Sequence, residues 1–549
     1  DTQGKYTYKC TSVSEDAATF ERTSEYAPSA TEGTKVNLVY AKGYENTPLS
    51  DNRELTIDIS SQDATDFAGL PLVMTASGTV GAGGKCIMSF VNETSVIKVT
   101  DCTSGASSGK TFKCYGVNLF PKMTLSIDEE GKFVKTVENS PSKISNTNIY
   151  TIPSDETVSF WLATFPTPSG AGTAKLYLGF NASTGWEYKY DTNPTSITSG
   201  KVLKLERKAF SAVYAKIGDV PYSTLKDAFG DANVMTQPCT VKLTRDFTNK
   251  TPISVENDKG ITLDLAGKTL VISSTNRITP SDNGKLIIDG NGTITNSTCN
   301  SYVFYYSSGE LILESGTIAS PEKQKEDDSP SSAVYITGGS FTINGGIIKS
   351  ESSKAINVAP GSLTINEGTI FTNGADQYAI YNDKGTVTIN QEEGKQSQIY
   401  SSIYRAIYSR CGTLTINGGT ITAVNNGATS SSATNASAIY LVGAAAGLTT
   451  LNVTNGFVES KKHSSLYVTK NNDTDQMSIS ISGGTFNGLK AIYENDLQDT
   501  ATENIKIVNI SNGTFNGAVE SKDCEGFITG GTFSSPVQEE YCAEGYIPQ

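Results

Sequence analysis

From about residue 210 to the C-terminus, apolar residues fall on alternate positions in short runs, and each run is closed by Gly or Asn. One unit reads Ser362-Leu363-Thr364-Ile365-Asn366-Glu367-Gly368-Thr369-Ile370, with close copies at Phe341 to Ile348 and Leu414 to Ile421. Weaker copies occur at Leu311 to Ile318, Val387 to Ile389, Leu451 to Val458, Ile479 to Phe486, Val508 to Phe515 and Gly526 to Phe533. Each unit also carries an Ala-Ile-Tyr anchor or a near variant: Ala333-Val334-Tyr335, Ala355-Ile356-Asn357, Ala379-Ile380-Tyr381, Ala406-Ile407-Tyr408, Ala438-Ile439-Tyr440, Ser465-Leu466-Tyr467 and Ala491-Ile492-Tyr493. Self-similarity at a variable period of roughly 20 to 30 residues marks a repeat architecture.

Three short strands per unit predict a right-handed parallel β-helix over 209–549, each unit forming one rung. Successive side chains in a strand face opposite sides, so Leu363 and Ile365 point inward and Thr364 outward. The Asn after the inner Ile (Asn344, Asn366, Asn390, Asn417) falls where the chain turns, where Asn and Gly both tolerate left-handed backbone angles, and a stack of these Asn side chains is expected to be structural. Long turns at Ala319 to Ser332, Thr422 to Ser437, Thr469 to Gln476 and Glu494 to Glu503 are expected to wall a groove.

Residues 1–208 show no repeat. Short alternating runs such as Lys35 to Tyr40, Leu55 to Ile59 and Leu176 to Leu178, separated by Gly, Pro, Ser and Asn clusters, predict an antiparallel β-sandwich. At the junction, Val213 to Ile217 reads as a strand. Ser223 then precedes Leu225, Ala228 and Phe229 at helical spacing, which predicts a short helix near 223–232 capping the first rung.

Charge narrows the partners. With 43 Lys+Arg against 57 Asp+Glu the 549-residue chain carries a net charge of -14, which repels polyphosphate and excludes nucleic acid as the expected partner. No stretch approaches the roughly 20 apolar residues of a membrane helix. Asp1 is neither an initiator Met nor part of a signal segment, which leaves room for an export signal or lipid anchor upstream. The nine Cys include no Cys-x-x-Cys pair and are accompanied by one His, so zinc is not expected; Cys86, Cys102 and Cys114, and separately Cys524 and Cys542, are spaced closely enough for local disulfides. No cofactor is expected.

The chemistry of cleavage is sparsely represented. A glycosidase needs two carboxylates across the bond, and a lyase needs clustered acidic calcium ligands with an Arg or Lys base. The single His, His463, lies in a polar loop, and the acidic run Glu322 to Asp328 reads as a solvated loop. Asp383, Glu494 and Asp496 with Arg405 or Arg410 are the residues an enzyme here would use. The stronger candidate is an outward column, Phe304, Tyr335, Tyr381, Tyr408, Tyr440, Tyr467 and Tyr493, interrupted by Asn357 and flanked by Arg405 and Arg410. Rings spaced by one rung, about 4.8 Å, match the apolar faces and hydroxyls of a sugar chain. Packing of the rings on one another is the competing use. Trp161 and Trp186 are expected in the sandwich core.

Two resemblances bear on this. The segments Phe160 to Gly170, Lys175 to Phe180 and Ser199 to Leu205, with the Tyr8 to Ser14 opening running on to Ala18-Thr19-Phe20, resemble the fimbrillin-like surface proteins of Bacteroidales over about the first 208 residues. That resemblance implies a transthyretin-like sandwich and an exported, outer-membrane-anchored lipoprotein that builds fimbriae or acts as an adhesin, although no lipidated Cys opens this chain and no donor strand is identifiable. The remainder, including Gly530 to Ser535 and Tyr541 to Pro548, resembles pectin-lyase-like β-helices of bacterial surface proteins. The sequence therefore leads to the expectation of a non-catalytic cell-surface adhesin that binds a glycan or host surface. A polysaccharide lyase or hydrolase, and a structural fimbrial subunit, are the alternatives.

Overall fold

The computed structural model describes residues 8–13, 18–22, 31–44, 50, 54–99, 111–140, 142–151, 159–168, 176–181, 188–192, 197–205, 211–273, 275–326, 328–375, 377–391, 393–424, 437–444, 447–470, 476–495, 508–522 and 524–547. Almost all regular structure is β. The chain divides into two compact units, one of 1–213 with 219–223 and one of 214–218 with 224–549.

In the first unit most strands pair antiparallel. Lys35–Ala41 pairs with Val73–Thr79, and Lys122–Ile127 lies between Leu55–Asp58 and Phe133–Val137. Ser95–Val99 lies between Phe160–Thr164 (antiparallel) and Val202–Leu205 (parallel). Alternation in these strands directs Ile57, Met123, Leu125, Val96 and Ala163 into one buried cluster with Phe120 and Phe165, and Trp161 packs partly buried against it. Burying polar groups there demands partners: the Gln62 amide donates to the carbonyls of Ile59 and Ala163 and accepts from the Ala163 amide. Trp186 lies outside the described residues.

The second unit is built on a 28-stranded sheet in which a typical strand pairs in parallel with the third strand after it. Three successive strands thus form one rung. In the first row of strands Ile356, Ile380, Ile407, Ile439, Leu466 and Ile492 stand in register, and in the second Leu363, Val387, Leu414, Leu451 and Ile479 do the same. All of these are buried, so each rung covers the aliphatic side chains of its neighbours. Burial of each such side chain contributes roughly 1.5 to 3 kcal/mol, which makes this stack the dominant source of order.

Helix α1, Leu225–Asn233, buries Leu225, Ala228, Phe229 and Ala232 against strands Cys239–Leu243 and Ile253–Val255. Its N-cap is Thr224, one residue beyond the expected Ser223: the Thr224 hydroxyl accepts from the Asp227 amide at 3.1 Å and donates to its carboxylate at 2.7 Å. At the other end, the Asn257 side chain donates to the Ala232 carbonyl at 2.7 Å.

One local expectation is refined and one is corrected. Of the two residue types that tolerate left-handed angles at the turn, glycine takes them: none of Asn344, Asn366, Asn390 and Asn417 has a positive φ, and the glycine two residues on has one in three rungs, Gly346 at +77°, Gly368 at +122° and Gly419 at +83°. A Cβ on Gly346 would also lie 2.6 Å from the Gly316 carbonyl, so stacking itself requires glycine there. The asparagines form the expected structural stack, a ladder in which each side-chain amide donates to the asparagine of the preceding rung, at 2.9 to 3.0 Å. The disulfide considered between Cys524 and Cys542 does not form, since Cys542 is a free thiol, and so is Cys86; Cys102 lies outside the described residues. Among the described residues, no helix is long and apolar enough to cross a membrane, and no group of three or more His, Cys, Asp or Glu side chains is placed to hold a metal. In the acidic run, Asp328 accepts from the amides of Gln324 and Lys325, while Asp327 lies outside the described residues.

Candidate binding face of the tyrosine strands

Parity within the first row of strands decides which side chains face outward. Once Ile380 and Ile407 point inward, Tyr381 and Tyr408 must point outward. The outward register runs Tyr305, Tyr335, Asn357, Tyr381, Tyr408, Tyr440, Tyr467, Tyr493 and then Glu520. Phe304 is therefore corrected: it pairs with inward Val334 and is 1% exposed, while Tyr305 takes the outward place at 41% exposed.

Stacking follows from the register. Tyr381 and Tyr408 have ring centroids 4.9 Å apart and planes within 9°, Tyr408 and Tyr440 are 5.6 Å apart, and Tyr440 and Tyr467 are 5.0 Å apart. Tyr467 to Tyr493 is edge-on at 5.3 Å. Tyr335, Tyr381, Tyr408 and Tyr440 remain half-buried, with one edge outward. Tyr467 is corrected as a ligand contact: it is 1% exposed, and its hydroxyl accepts from the Asn495 amide at 2.9 Å. Asn357 leaves a one-rung gap between Tyr335 and Tyr381, flanked by Lys354, whose ammonium lies 5.2 Å from the Tyr381 ring centroid.

The turns add rings that strand alternation could not place. Tyr302 packs on Tyr305 and Tyr335, and Tyr378 packs on Tyr381, Tyr404 and Tyr408, all with centroids 5.1 to 5.6 Å apart. The available signal was a second Tyr three or four residues ahead of the column Tyr, as in Tyr302/Tyr305, Tyr378/Tyr381 and Tyr404/Tyr408.

The two arginines are placed differently. Arg405 is 6% exposed, with its guanidinium 3.7 Å from the Tyr440 ring centroid and 4.6 Å from that of Tyr404. A desolvated cation–π contact of this kind contributes about 2 kcal/mol, so Arg405 braces the rings from beneath. Arg410 forms an ion pair with Asp383 at 2.9 Å on the adjacent rung, the surface salt bridge being its structural use. Burial raises the pKa of Tyr335, Tyr381, Tyr440 and Tyr467, and pushes Tyr408 up to about 12. These hydroxyls are protonated donors at neutral pH.

Of the carboxylates an enzyme would use, the two that are described, Asp383 and Glu494, do not meet. Glu494 aligns with Asn382, Ser409, Leu441 and Val468, the inward parity, and is 6% exposed. It accepts from the Ser521 hydroxyl and the Lys522 amide, both at 2.9 Å. It stands four strands from the Asp383 rung, about 19 Å at about 4.8 Å per strand, against the roughly 5 to 9.5 Å that separates glycosidase carboxylates. Asp496 lies outside the described residues, as do the central parts of the long turns at 425–436, 471–475 and 496–507. His463 has its pKa lowered by burial, and its Nδ1 lies 3.0 Å from the Ser464 hydroxyl.

Comparison with known proteins places little beside this chain. No family model matches it, and no curated protein does. Among solved structures, a provisionally named cell adhesion protein from Bacteroides uniformis is similar at 16% identity, covering 38% of this chain and 83% of that one, with a TM-score of 0.27. Another from Bacteroides ovatus is similar at 15% identity, covering 36% and 73%, with a TM-score of 0.23. At such scores the function has to be argued from the geometry above.

Proposed function

We propose that the chain is an exported bacterial surface protein in which an antiparallel sandwich carries a right-handed parallel β-helix. The helix binds a glycan, without cleaving it, along Tyr335, Tyr381, Tyr408 and Tyr440. One observation carries this reading: those four rings stand in register with an exposed edge, and no hydrogen bond is made by their hydroxyls among the described residues. By contrast, the hydroxyl of buried Tyr306 donates to the Ser340 carbonyl and that of Tyr467 is held by Asn495. A row of amphipathic rings, one per rung from Tyr381 to Tyr440 and resumed at Tyr335 beyond the Asn357 gap, offers a sugar chain both an apolar surface and hydrogen bonds at its own repeat. Binding requires no paired carboxylates, and the wide separation of Asp383 from Glu494 supports a binder over a hydrolase.

A glycan array with the purified chain, run beside a reducing-end assay, tests this. Retention of oligosaccharides with no new reducing ends is expected. Release of reducing ends, or a silent array, overturns it.

A further inference from the structure

Two and three rungs before Tyr335 the same row of strands passes through Ile278–Pro280 and Ile253–Val255, where the outward positions hold Thr279 and Ser254 in place of tyrosine. Loss of the rings opens a pocket of ≈ 410 Å³ between these strands and Phe304–Tyr306, within the ~300 to 1,000 Å³ typical of small-ligand sites. Arg277 and Tyr305 line it, together with the Ser254 and Ser281 hydroxyls, which lie 2.7 Å apart.

The cation is the informative part. Arg277 is half-buried, and its Nε donates to the Tyr302 carbonyl at 3.2 Å, which fixes the guanidinium plane. That plane lies 5.7 Å from the Tyr305 centroid and 6.0 Å from that of Tyr302. Among the described residues its terminal nitrogens have no carboxylate partner, and no Asp or Glu lines the pocket, although the whole chain carries a net charge of -14. Burial lowers the Arg277 pKa, the mark of a cation whose desolvation is uncompensated. The remaining N–H groups form a fork suited to two parallel bonds with one carboxylate, and the exposed Tyr305 ring supplies a stacking platform beside it.

We propose that this pocket binds the carboxylate-bearing sugar unit of an acidic glycan, the carboxylate on the Arg277 fork and the ring against Tyr305. The site extends the glycan-binding reading of the tyrosine face but stands on different residues. Glucuronate and N-acetylneuraminate are the two sources of such a unit, and the test distinguishes them.

Ligand-observed NMR titrations of the full chain with D-glucuronate, N-acetylneuraminate, glucuronate methyl ester and glucose provide the measurement. One of the acids is expected to bind with Kd on the order of 1 mM, with glucose and the ester at least about tenfold weaker, as removal of a charge-assisted pair requires. Arg277→Gln should remove acid binding, Arg277→Lys should restore it only in part, and Tyr305→Ala should weaken it about fivefold. An unchanged thermal midpoint in these variants shows that the fold is intact. Equal binding of acid and ester, full binding by Arg277→Gln, or no binding of either acid by the unaltered chain overturns the proposal. Tyr408→Ala with Tyr440→Ala should leave acid binding unchanged. If acid binding survives while array retention is insensitive to those tyrosines, the tyrosine face fails and the pocket stands; array retention without acid binding gives the reverse.

Discussion

The second unit carries two outward rows built on the same parallel register, one of asparagine and one of tyrosine, and they use their hydrogen-bonding capacity in opposite ways. The asparagine row is closed: Asn344 donates to Glu314, Asn366 to Asn344, Asn390 to Asn366 and Asn417 to Asn390, and the Thr454 hydroxyl donates to Asn417. The tyrosine row is joined through its ring faces, and the hydroxyls of Tyr335, Tyr381, Tyr408 and Tyr440 make no hydrogen bond among the described residues. Repetition of an outward residue is therefore no sign of a site in itself. What separates a structural ladder from a recognition face is whether the row satisfies itself.

The largest expected effect lies beneath both rows. Ile407 is fully buried between Ile380 and Ile439, and Ile407→Ala should cost about 2 to 5 kcal/mol in denaturant unfolding. It should disturb both ladders, since both hang on the rung it fills. Next, Tyr408→Ala combined with Tyr440→Ala should weaken glycan retention at least about tenfold, with a stability cost of roughly 1 kcal/mol from lost stacking. Asn366→Ala leaves the Asn344 carbonyl and the Asn390 amide unpaired and should cost about 1 kcal/mol in the same unfolding experiment, with retention unchanged. Equal loss of retention in the asparagine and tyrosine variants would break the contrast.

The smallest effect at neutral pH is electrostatic. Tyr408 has a folded pKa near 12 against an ordinary 10, so the folded state keeps its proton longer than the unfolded chain does. The stability this supplies is fully present below pH 10 and is lost as pH rises from about 10 to about 12. Thermal midpoints should hold flat up to pH 10 and fall above it, with tyrosinate absorbance appearing at the same pH as unfolding. Early ionisation of the Tyr381 to Tyr440 stretch in the folded chain would show the rings to be more open to water than described.

The inner stack was legible in the sequence because Leu363, Ile365, Val387 and Ile389 alternate with Thr and fix their own parity. Parity failed at Tyr302-Val303-Phe304-Tyr305-Tyr306, five apolar or aromatic residues in a row with no polar position to mark the outside, so Phe304 was set outward in place of Tyr305. The structural role of the asparagine stack is legible from its repetition, but which residue takes the left-handed angle is not, since Asn and Gly both tolerate it; the glycine two residues on takes it at no steric cost and leaves the amides for the ladder. Thr224 and Ser223 are both competent caps, and spacing alone does not choose between them. Charge points Arg405 to the surface, but its guanidinium lies over the Tyr440 ring, a contact between turn and strand that no local pattern encodes. Tyr378 and Tyr404 were missed for the same reason.

Saturation-transfer NMR tests the central claim most directly, with an oligosaccharide retained on the array and irradiation placed on the tyrosine ring protons. If the tyrosine row is the binding face, saturation reaches the sugar ring protons of the bound chain and disappears when Tyr381, Tyr408 and Tyr440 are replaced together by Ala. Undiminished transfer in that variant, with the fold intact, would contradict it and leave the rings as packing alone.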